Sequence, residues 1–205
     1  MPPPGLGRDH ADSHFELIEL LDGDSFLSAH HDGIMEVYKS AHRERLHEPR
    51  MSPDSYSDRL SREHVRRPGF SAVVAQAAGR TMGYAYGCSG VCENGIRNEI
   101  HEAFSLEVAM HTPVFVFMEI AVEARWQRHR VGRRMHDVLL HRRLEEIARL
   151  LVKRDNVKAK QAYANWSWVF AGSIRPYAGV AVHDVMLRRL PASGTAPNPA
   201  FDQRT

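Results

Sequence analysis

The chain is poor in the residues that build cross-linked or metal-held folds. It has 2 cysteines among 205 residues, Cys88 and Cys92. A single pair lacks the second pair that completes a zinc site, so no metal is expected. Two thiols also fall short of the disulfide framework of a small secreted domain. Excess charge is scarce too: 27 Lys and Arg face 25 Asp and Glu, a formal net charge of +2. That argues against a general electrostatic grip on nucleic acid, and no nucleic-acid partner is expected. Long hydrophobic runs are missing. The most apolar stretch, Pro113–Val122, is well short of the roughly 20 residues a membrane helix needs and contains Glu119, so no membrane association is expected. Met1–His14 has no basic region followed by an apolar core, so it does not read as a secretory leader, and a cytoplasmic location is expected. The 13 histidines are scattered; the adjacent pair His30-His31 reads as a polar helix surface or loop.

What is present suits one globular domain. Pro, Gly, Ser, Ala and Asn dominate 1–14 and 191–205, which read as mobile tails around a domain at 15–190. Phe15–Leu21 is a predicted strand. Phe26–Leu46 has apolar residues near helical spacing. Ser52-Pro53-Asp54 reads as a cap, a first-turn proline and the start of a helix to about Arg66. Phe70–Gln76, the turn Ala78-Gly79-Arg80 and Met82–Gly87 form a predicted hairpin. Arg97–Val108 reads as a helix or a loop. A strand is predicted at Pro113–Glu123, a long helix at Val131–Leu150, a short strand at Leu150–Lys153 and a helix at Val157–Trp166. Closing strands are predicted at Trp168–Ile174 and Ala181–Leu190. This order gives a mixed α/β sheet covered by helices, whose crevice at the strand ends would fall near Glu119–Gly132.

That crevice region has an unusual charge pattern. Arg128, Arg130, Arg133 and Arg134 cluster where the strand passes into the predicted long helix. A helix N-terminus already carries unpaired N–H groups and the positive end of the macrodipole. More cations there make sense if an anion such as phosphate binds, although many charge runs are only solvated turns. Gly132, lacking a Cβ, would allow close approach of a pyrophosphate; alone, it would serve equally as a packing glycine.

Three segments together resemble the GNAT superfamily of N-acetyltransferases. Gln127-Arg128-His129-Arg130-Val131-Gly132, after a strand and before a helix, is similar to the family's pyrophosphate turn. Asn156, Ala159 and Tyr163, followed by Trp166-Ser167-Trp168-Val169-Phe170, resemble its later asparagine–tyrosine motif and aromatic turn. Arg67–Phe70 through Gly83–Gly87 resemble the hairpin before the cofactor strand. The family carries Gly where Arg130 stands; a left-handed residue there would cost about 1–2 kcal/mol, while its guanidinium could pair with phosphate.

The resemblance implies a mixed, mostly antiparallel central sheet flanked by helices, with acetyl-CoA as co-substrate. It implies transfer of an acetyl group to an amine, with a small-molecule acceptor expected, by direct attack on the thioester. A CoA-binding relative that no longer catalyses is the alternative. Backbone groups of Ile120, Ala121 and Val122 would meet the pantetheine. Gln127, Arg128, His129, Arg130, Val131, Gly132 and Arg133 would hold the pyrophosphate. Asn156 would bond the pantetheine, cap a helix, or do both. Tyr163 would protonate the departing thiolate, or else be a half-buried packing residue. Glu119, a carboxylate in an apolar strand, is either the base for the amine or half of a structural ion pair. His183 is a weaker candidate base, the tryptophans read as packing, and a homodimer joined through Trp168–Leu190 is expected. The acidic residues Glu93, Glu99, Glu102 and Glu107 hint at a cationic acceptor or form a solvated loop.

Overall fold

The structure is a computed structural model and describes residues 15–92, 94–107, 109, 111–141, 143–176 and 179–191. The segments read as tails, apart from residue 191, lie outside the described residues, as does Glu93. The strands are β1 (Glu16–Leu21), β2 (Ser71–Ala77), β3 (Arg80–Val91), β4 (Pro113–Val122), β5 (Ile147–Lys153), β6 (Val169–Ile174) and β7 (His183–Arg189). The helices are α1 (Gly23–Ala41), α2 (Pro53–Arg59), α3 (Asn94–Phe104), α4 (Val131–Leu140) and α5 (Val157–Asn165). One seven-stranded sheet has the order β1-β2-β3-β4-β5-β7-β6. Every pairing is antiparallel except β4 with β5.

Local chemistry explains most boundaries. Asp22 opens α1 by accepting the Ser25 N–H at 2.8 Å. Ser52 caps α2 in the same manner, with Pro53 in its first turn. A wide π-type turn, Leu60–His64, continues α2. Ala78 and Gly79 both have positive φ, 48° and 73°, the geometry of a tight hairpin turn, so β2 leads directly into β3.

Each face of the sheet buries a different cluster. Val131, Met135 and Leu139 of α4 pack against Val73, Met82, Ala85, Phe115 and Phe117. Phe26, Ile34, Val37 and Tyr38 of α1, with Tyr56 and Leu60, pack against Ala72, Val74, Tyr84 and Tyr86. Ile100 of α3 joins Cys92, Val114, Ile147, Val185 and Leu187 over the later strands.

The predicted helix Val131–Leu150 requires correction: α4 ends at Leu140, and Ile147 belongs to β5. Leu144, assigned to the helix by its spacing, is 86% exposed. Tertiary bonding overrides the periodicity. The Arg143 guanidinium lies over the Phe115 ring at 4.2 Å and donates to Ser71 Oγ at 3.0 Å. It also donates to buried Glu145, which accepts from Ser89 Oγ at 2.7 Å. This network holds the segment across strands β2 and β3, where a helix could not run. The other differences are smaller: β3 extends to Val91, and the uncertain segment is helical over Asn94–Phe104.

Helix α5 is fixed by Asp184 of β7. This buried carboxylate accepts from Lys160 Nζ at 2.6 Å, Ser173 Oγ at 2.8 Å and Arg154 Nε at 3.2 Å. Lys160 foremost, then Ser173 and Arg154, hold its pKa down at about 2. Its folded value lies below the ordinary 3.9, so its stabilisation is complete above that value and fades as pH falls toward about 2. Asp184→Asn is expected to cost about 1–2 kcal/mol, or roughly 2–8 °C of Tm. Thermal melts of the variant should also lose the part of the acid dependence that falls in that window.

Candidate active site

The sheet opens where its two halves meet. Strands β4 and β5 pair through only Phe115↔Ala148 and Val116↔Arg149. Beyond Val116 the backbone edge of β4 that faces β5 has no strand partner among the described residues. A bulge accompanies this opening. Tyr86 faces Glu119 while the next residue, Gly87, faces Phe117, leaving Met118 as the extra residue of β4. Bulges break alternation and increase local twist. Phe117 and Ile120 therefore join the α4 side, while Met118 and Ala121 join the α1–α2 side. Gly87 lets the strands close up here: a Cβ would lie 2.5 Å from both Phe115 Cζ and the Val116 carbonyl.

The basic turn lies at the end of β4. A short 3-10 turn, Ala124–Trp126, leads into Gln127, whose Nε2 donates to the Val122 carbonyl at 3.2 Å. Lys158 Nζ donates to Gln127 Oε1 at 3.3 Å, which links the turn to α5. Arg128 and Arg130 both have positive φ, 68° and 61°, and the side chains of Arg128, His129 and Arg130 are exposed. Left-handed residues in such a turn can make successive N–H groups converge on an anion. No side chain caps α4, so its first N–H groups open toward the turn. At Gly132 a Cβ would sit 3.6 Å from Trp166 and Val122 and 3.7 Å from Ile120, which is ordinary contact. The protein's own packing therefore does not require glycine there.

The predicted phosphate-turn residues differ in availability. Arg133 is bonded internally, with Nε on Asp137 Oδ2 at 2.6 Å and Nη1 on the Asn165 carbonyl at 3.3 Å. Val131 is buried in the core. Arg128, His129, Arg130 and the N-terminal backbone of α4 remain open. Ile120 and Val122 face the open edge of β4, where the Val122 carbonyl is taken by Gln127; the Ala121 carbonyl instead points to Gly83 of β3, so the expected backbone contact at Ala121 is corrected. Asn156 caps α5, its Oδ1 accepting the Ala159 N–H at 3.1 Å.

Tyr163 of α5 stands against Phe117, Trp166 and Trp168, with ring centroids 6.4, 5.7 and 6.2 Å away. Burial first, and the Glu119 charge second, raise its pKa, so the phenol keeps its proton at neutral pH. The surrounding polar groups are matched: Trp168 Nε1 donates to His136 Nε2 at 2.9 Å, and Asp137 accepts from His136 Nδ1 at 2.8 Å.

Glu119 faces the α1–α2 side. Its Oε1 lies 3.4 Å from His42 Nε2, and its side chain is 25% exposed. Around it are Tyr38, Tyr56, Tyr84 and Tyr86. Tyr56 donates to Tyr84 at 2.9 Å, Tyr38 stacks on Tyr56 with centroids 3.8 Å apart, and His64 Nδ1 meets the Tyr86 hydroxyl at 2.9 Å. Burial, then Glu119, push Tyr38 up to about 12. The same carboxylate contributes to raising Tyr56, Tyr84, Tyr86 and Tyr163. The structure thus places Glu119 and Tyr163 at the opened strand, the first on the α1–α2 side and the second on the α4 side.

Sequence reasoning missed His42 and this tyrosine group. The alternating pair Tyr84 and Tyr86 was the available signal, since residues two apart share a strand face. His42, at the end of α1, left none. His183 stands apart from these residues, its Nδ1 donating to the Ala181 carbonyl at 2.8 Å. Glu48 of the α1–α2 connection bonds Arg45 at 2.7 Å and meets Lys153 of β5 at 3.4 Å.

No protein-family model and no curated protein matches the chain. Solved structures do. The ribosomal-protein-S18-alanine N-acetyltransferase of Escherichia coli is 14% identical, with 90% of this chain and 99% of that one covered at a TM-score of 0.56. Ard1 from Thermoplasma volcanium is 18% identical, with 86% and 98% covered and a TM-score of 0.54. A putative acetyltransferase of the GNAT family from Desulfovibrio desulfuricans is 14% identical, with 86% and 99% covered and a TM-score of 0.55. Sheet, helices and opened strand pair together give this chain the fold of the GNAT N-acetyltransferases.

Proposed function

We propose that the protein transfers an acetyl group from acetyl-CoA to the amine of a small molecule. The observation that carries this is the opened β4–β5 pair, with protonated Tyr163 on one side, Glu119 on the other, and the uncapped end of α4 at its mouth. The residues fit the co-substrate. The backbone groups of Ile120, on the open edge, suit an amide of the pantetheine. The turn at 127–132 suits the pyrophosphate, with the Arg128 and Arg130 guanidinium groups free for phosphate oxygens. The Asn156 amide nitrogen remains available after its oxygen has capped α5.

In this reading Glu119 takes a proton from the arriving ammonium. The amine lone pair then attacks the thioester carbon. When the tetrahedral adduct collapses, the C–S bond breaks and Tyr163 gives its proton to the thiolate. Direct attack is supported by the position of the thiols: Cys88 and Cys92 are both buried, and Cys88 donates to Met118 Sδ at 3.6 Å. The Escherichia coli neighbour is named for a ribosomal-protein alanine, so a peptide belongs beside small amines in any acceptor screen. The reading puts the protein in the cytoplasm, with acetyl-CoA. It also favours a homodimer, because Val169 and Phe170 on edge strand β6 are 38% and 61% exposed.

One observation favours the non-catalytic alternative. Arg130 is left-handed, with φ 61° and ψ 1°, where the resembled family carries glycine. Arg130→Gly should relieve about 1 kcal/mol, raising Tm by roughly 2–4 °C. If the guanidinium pairs with phosphate, calorimetry should also show CoA affinity falling by up to about fivefold, the worth of an exposed ion pair.

Calorimetry with CoA, dephospho-CoA and adenosine tests the binding site. Gly132→Asp should abolish CoA binding and leave Tm nearly unchanged, because a Cβ fits there and an acidic residue suits a helix start. Wild-type Tm with wild-type CoA affinity in this variant would place the co-substrate elsewhere.

Thiol release against an amine panel tests the chemistry. Tyr163→Phe should lower kcat by about 10²–10⁴-fold with CoA affinity unchanged. Glu119→Gln should lose activity at neutral pH and recover as rising pH deprotonates the amine. Normal turnover in the first, or an unaltered pH profile in the second, would remove that residue from its role.

A further inference from the structure

Acetyl transfer to an ammonium leaves two protons to be placed at the nitrogen. An alkylammonium, R–NH3+, carries three hydrogens, and the amide product keeps one. Glu119 takes one proton before the attack. The second leaves the nitrogen once the C–N bond has formed, when the thiolate departs with the Tyr163 proton. A single carboxylate cannot hold both at once.

The acceptor side offers a second basic atom. His42 Nε2 lies 3.4 Å from Glu119 Oε1 and is buried, yet it makes no hydrogen bond. The separation is within ion-pair reach, but the geometry is not that of a hydrogen bond. A buried polar nitrogen left unbonded is costly unless something fills the gap. The imidazole is nevertheless held in place. Its ring rests on Tyr38 with centroids 4.6 Å apart, and its backbone N–H closes α1 on the Tyr38 carbonyl at 3.0 Å. Both side chains are partly exposed, 22% and 25%, while the Nε2 atom itself is buried. Two acceptor atoms at this spacing can share the N–H groups of one amine.

We propose that His42 Nε2 is the second proton acceptor of the amine subsite, dividing with Glu119 the two protons that the acceptor nitrogen gives up. This rests on the acetyl-transfer reading. Glu119 deprotonates the ammonium, and the nitrogen forms its bond to the carbonyl carbon. As the C–S bond breaks, the proton still in excess on nitrogen passes to His42 Nε2. Of the two protons then held, one restores Tyr163 and the other leaves to solvent. No other reactant is needed.

The pH dependence of this step belongs to a defined neighbourhood. Tyr38 of α1 and Glu119 of β4 meet the imidazole, Tyr56 of α2 stacks on Tyr38, and the Tyr86 hydroxyl of β3 lies 3.4 Å from that of Tyr56. Arg45 and Arg59 act on the same group through Tyr38, and His64 reaches it through Tyr86. Burial lowers the His64 pKa, so a second imidazole near the site favours its neutral form.

The test compares wild type, His42→Gln and His42→Leu in a thiol-release assay. Benzylamine, spermidine and the dipeptide alanyl-serine serve as probes from mildly acidic to alkaline pH, with CoA affinity and Tm measured in parallel. Glutamine accepts a hydrogen bond near the Nε2 position but takes no proton. In His42→Gln, kcat should fall by about 10²-fold, the low end for an acid–base group. The amine KM and CoA affinity should stay close to wild type, and one ionisation should vanish from the acid limb. His42→Leu should raise the amine KM as well; should it unfold, His42→Gln alone decides. His42→Gln with wild-type turnover at every pH, or with lowered turnover and an unchanged pH profile, would overturn the inference and leave acetyl transfer standing. Wild type releasing no thiol with any probe would overturn the acetyl-transfer reading, and the role of His42 with it.

Discussion

A parallel strand pair that holds for only two residues organises the molecule. Within Phe115–Val116 and Ala148–Arg149 the sheet is continuous, and beyond them β4 turns away. Continued pairing would have buried the same backbone groups in an ordinary ladder. The bulge at Met118 accompanies this parting, and Gly87 allows β3 to follow β4 closely through it. Helices α4 and α5 then approach the gap from the following connections. The available backbone edge and the placing of Glu119 and Tyr163 on its two sides accompany one interrupted ladder.

Charge is arranged sparingly around the gap. Among the described residues Glu119 is the one carboxylate that reaches both Tyr163 and the tyrosines behind α1, and together with burial it keeps those phenols protonated. The stronger ion pairs lie farther out. Arg143 with Glu145 fixes the chain before β5, and Asp184 with Lys160 and Arg154 fixes α5. These brace the site without adding charge to it. A phenol flanked by Phe117, Trp166 and Trp168 has few alternatives to the direction it takes.

Much of this was legible in the sequence where local chemistry decides structure. Ser52 and Pro53 announce α2, Ala78-Gly79 announces the hairpin, and the apolar run from Pro113 announces β4. The turn from Gln127 to Gly132 stands out by its charge alone. What escaped depends on contacts distant in sequence. Leu144 and Ile147 prolong the helical spacing of α4, and only the contacts of Arg143 with Phe115, Ser71 and Glu145 reveal that the helix has ended. Strict alternation along β4 would put Met118 and Glu119 on opposite faces, and one extra residue in the ladder brings them to the same side. His42 is an ordinary residue after a helix until the fold carries it to Glu119. Arg133 looks like a phosphate ligand until Asp137 is seen to hold it.

The chain has 3 tryptophans, Trp126, Trp166 and Trp168, and all of them border the opened strands. Trp126 lies in the short turn before the arginines, where it meets the His129 ring. Trp166 faces the bare Cα of Gly132 and lies tilted against His136, and Trp168 lies beside Tyr163. The indole emission of this protein is therefore emission from one place. Trp126 and Trp166 are partly exposed beside the gap and Trp168 is buried, so a molecule entering the gap would change the surroundings of the first two indoles. The fold has in effect gathered its indoles at the candidate site, where their emission can be followed in the native protein without a dye or a substitution.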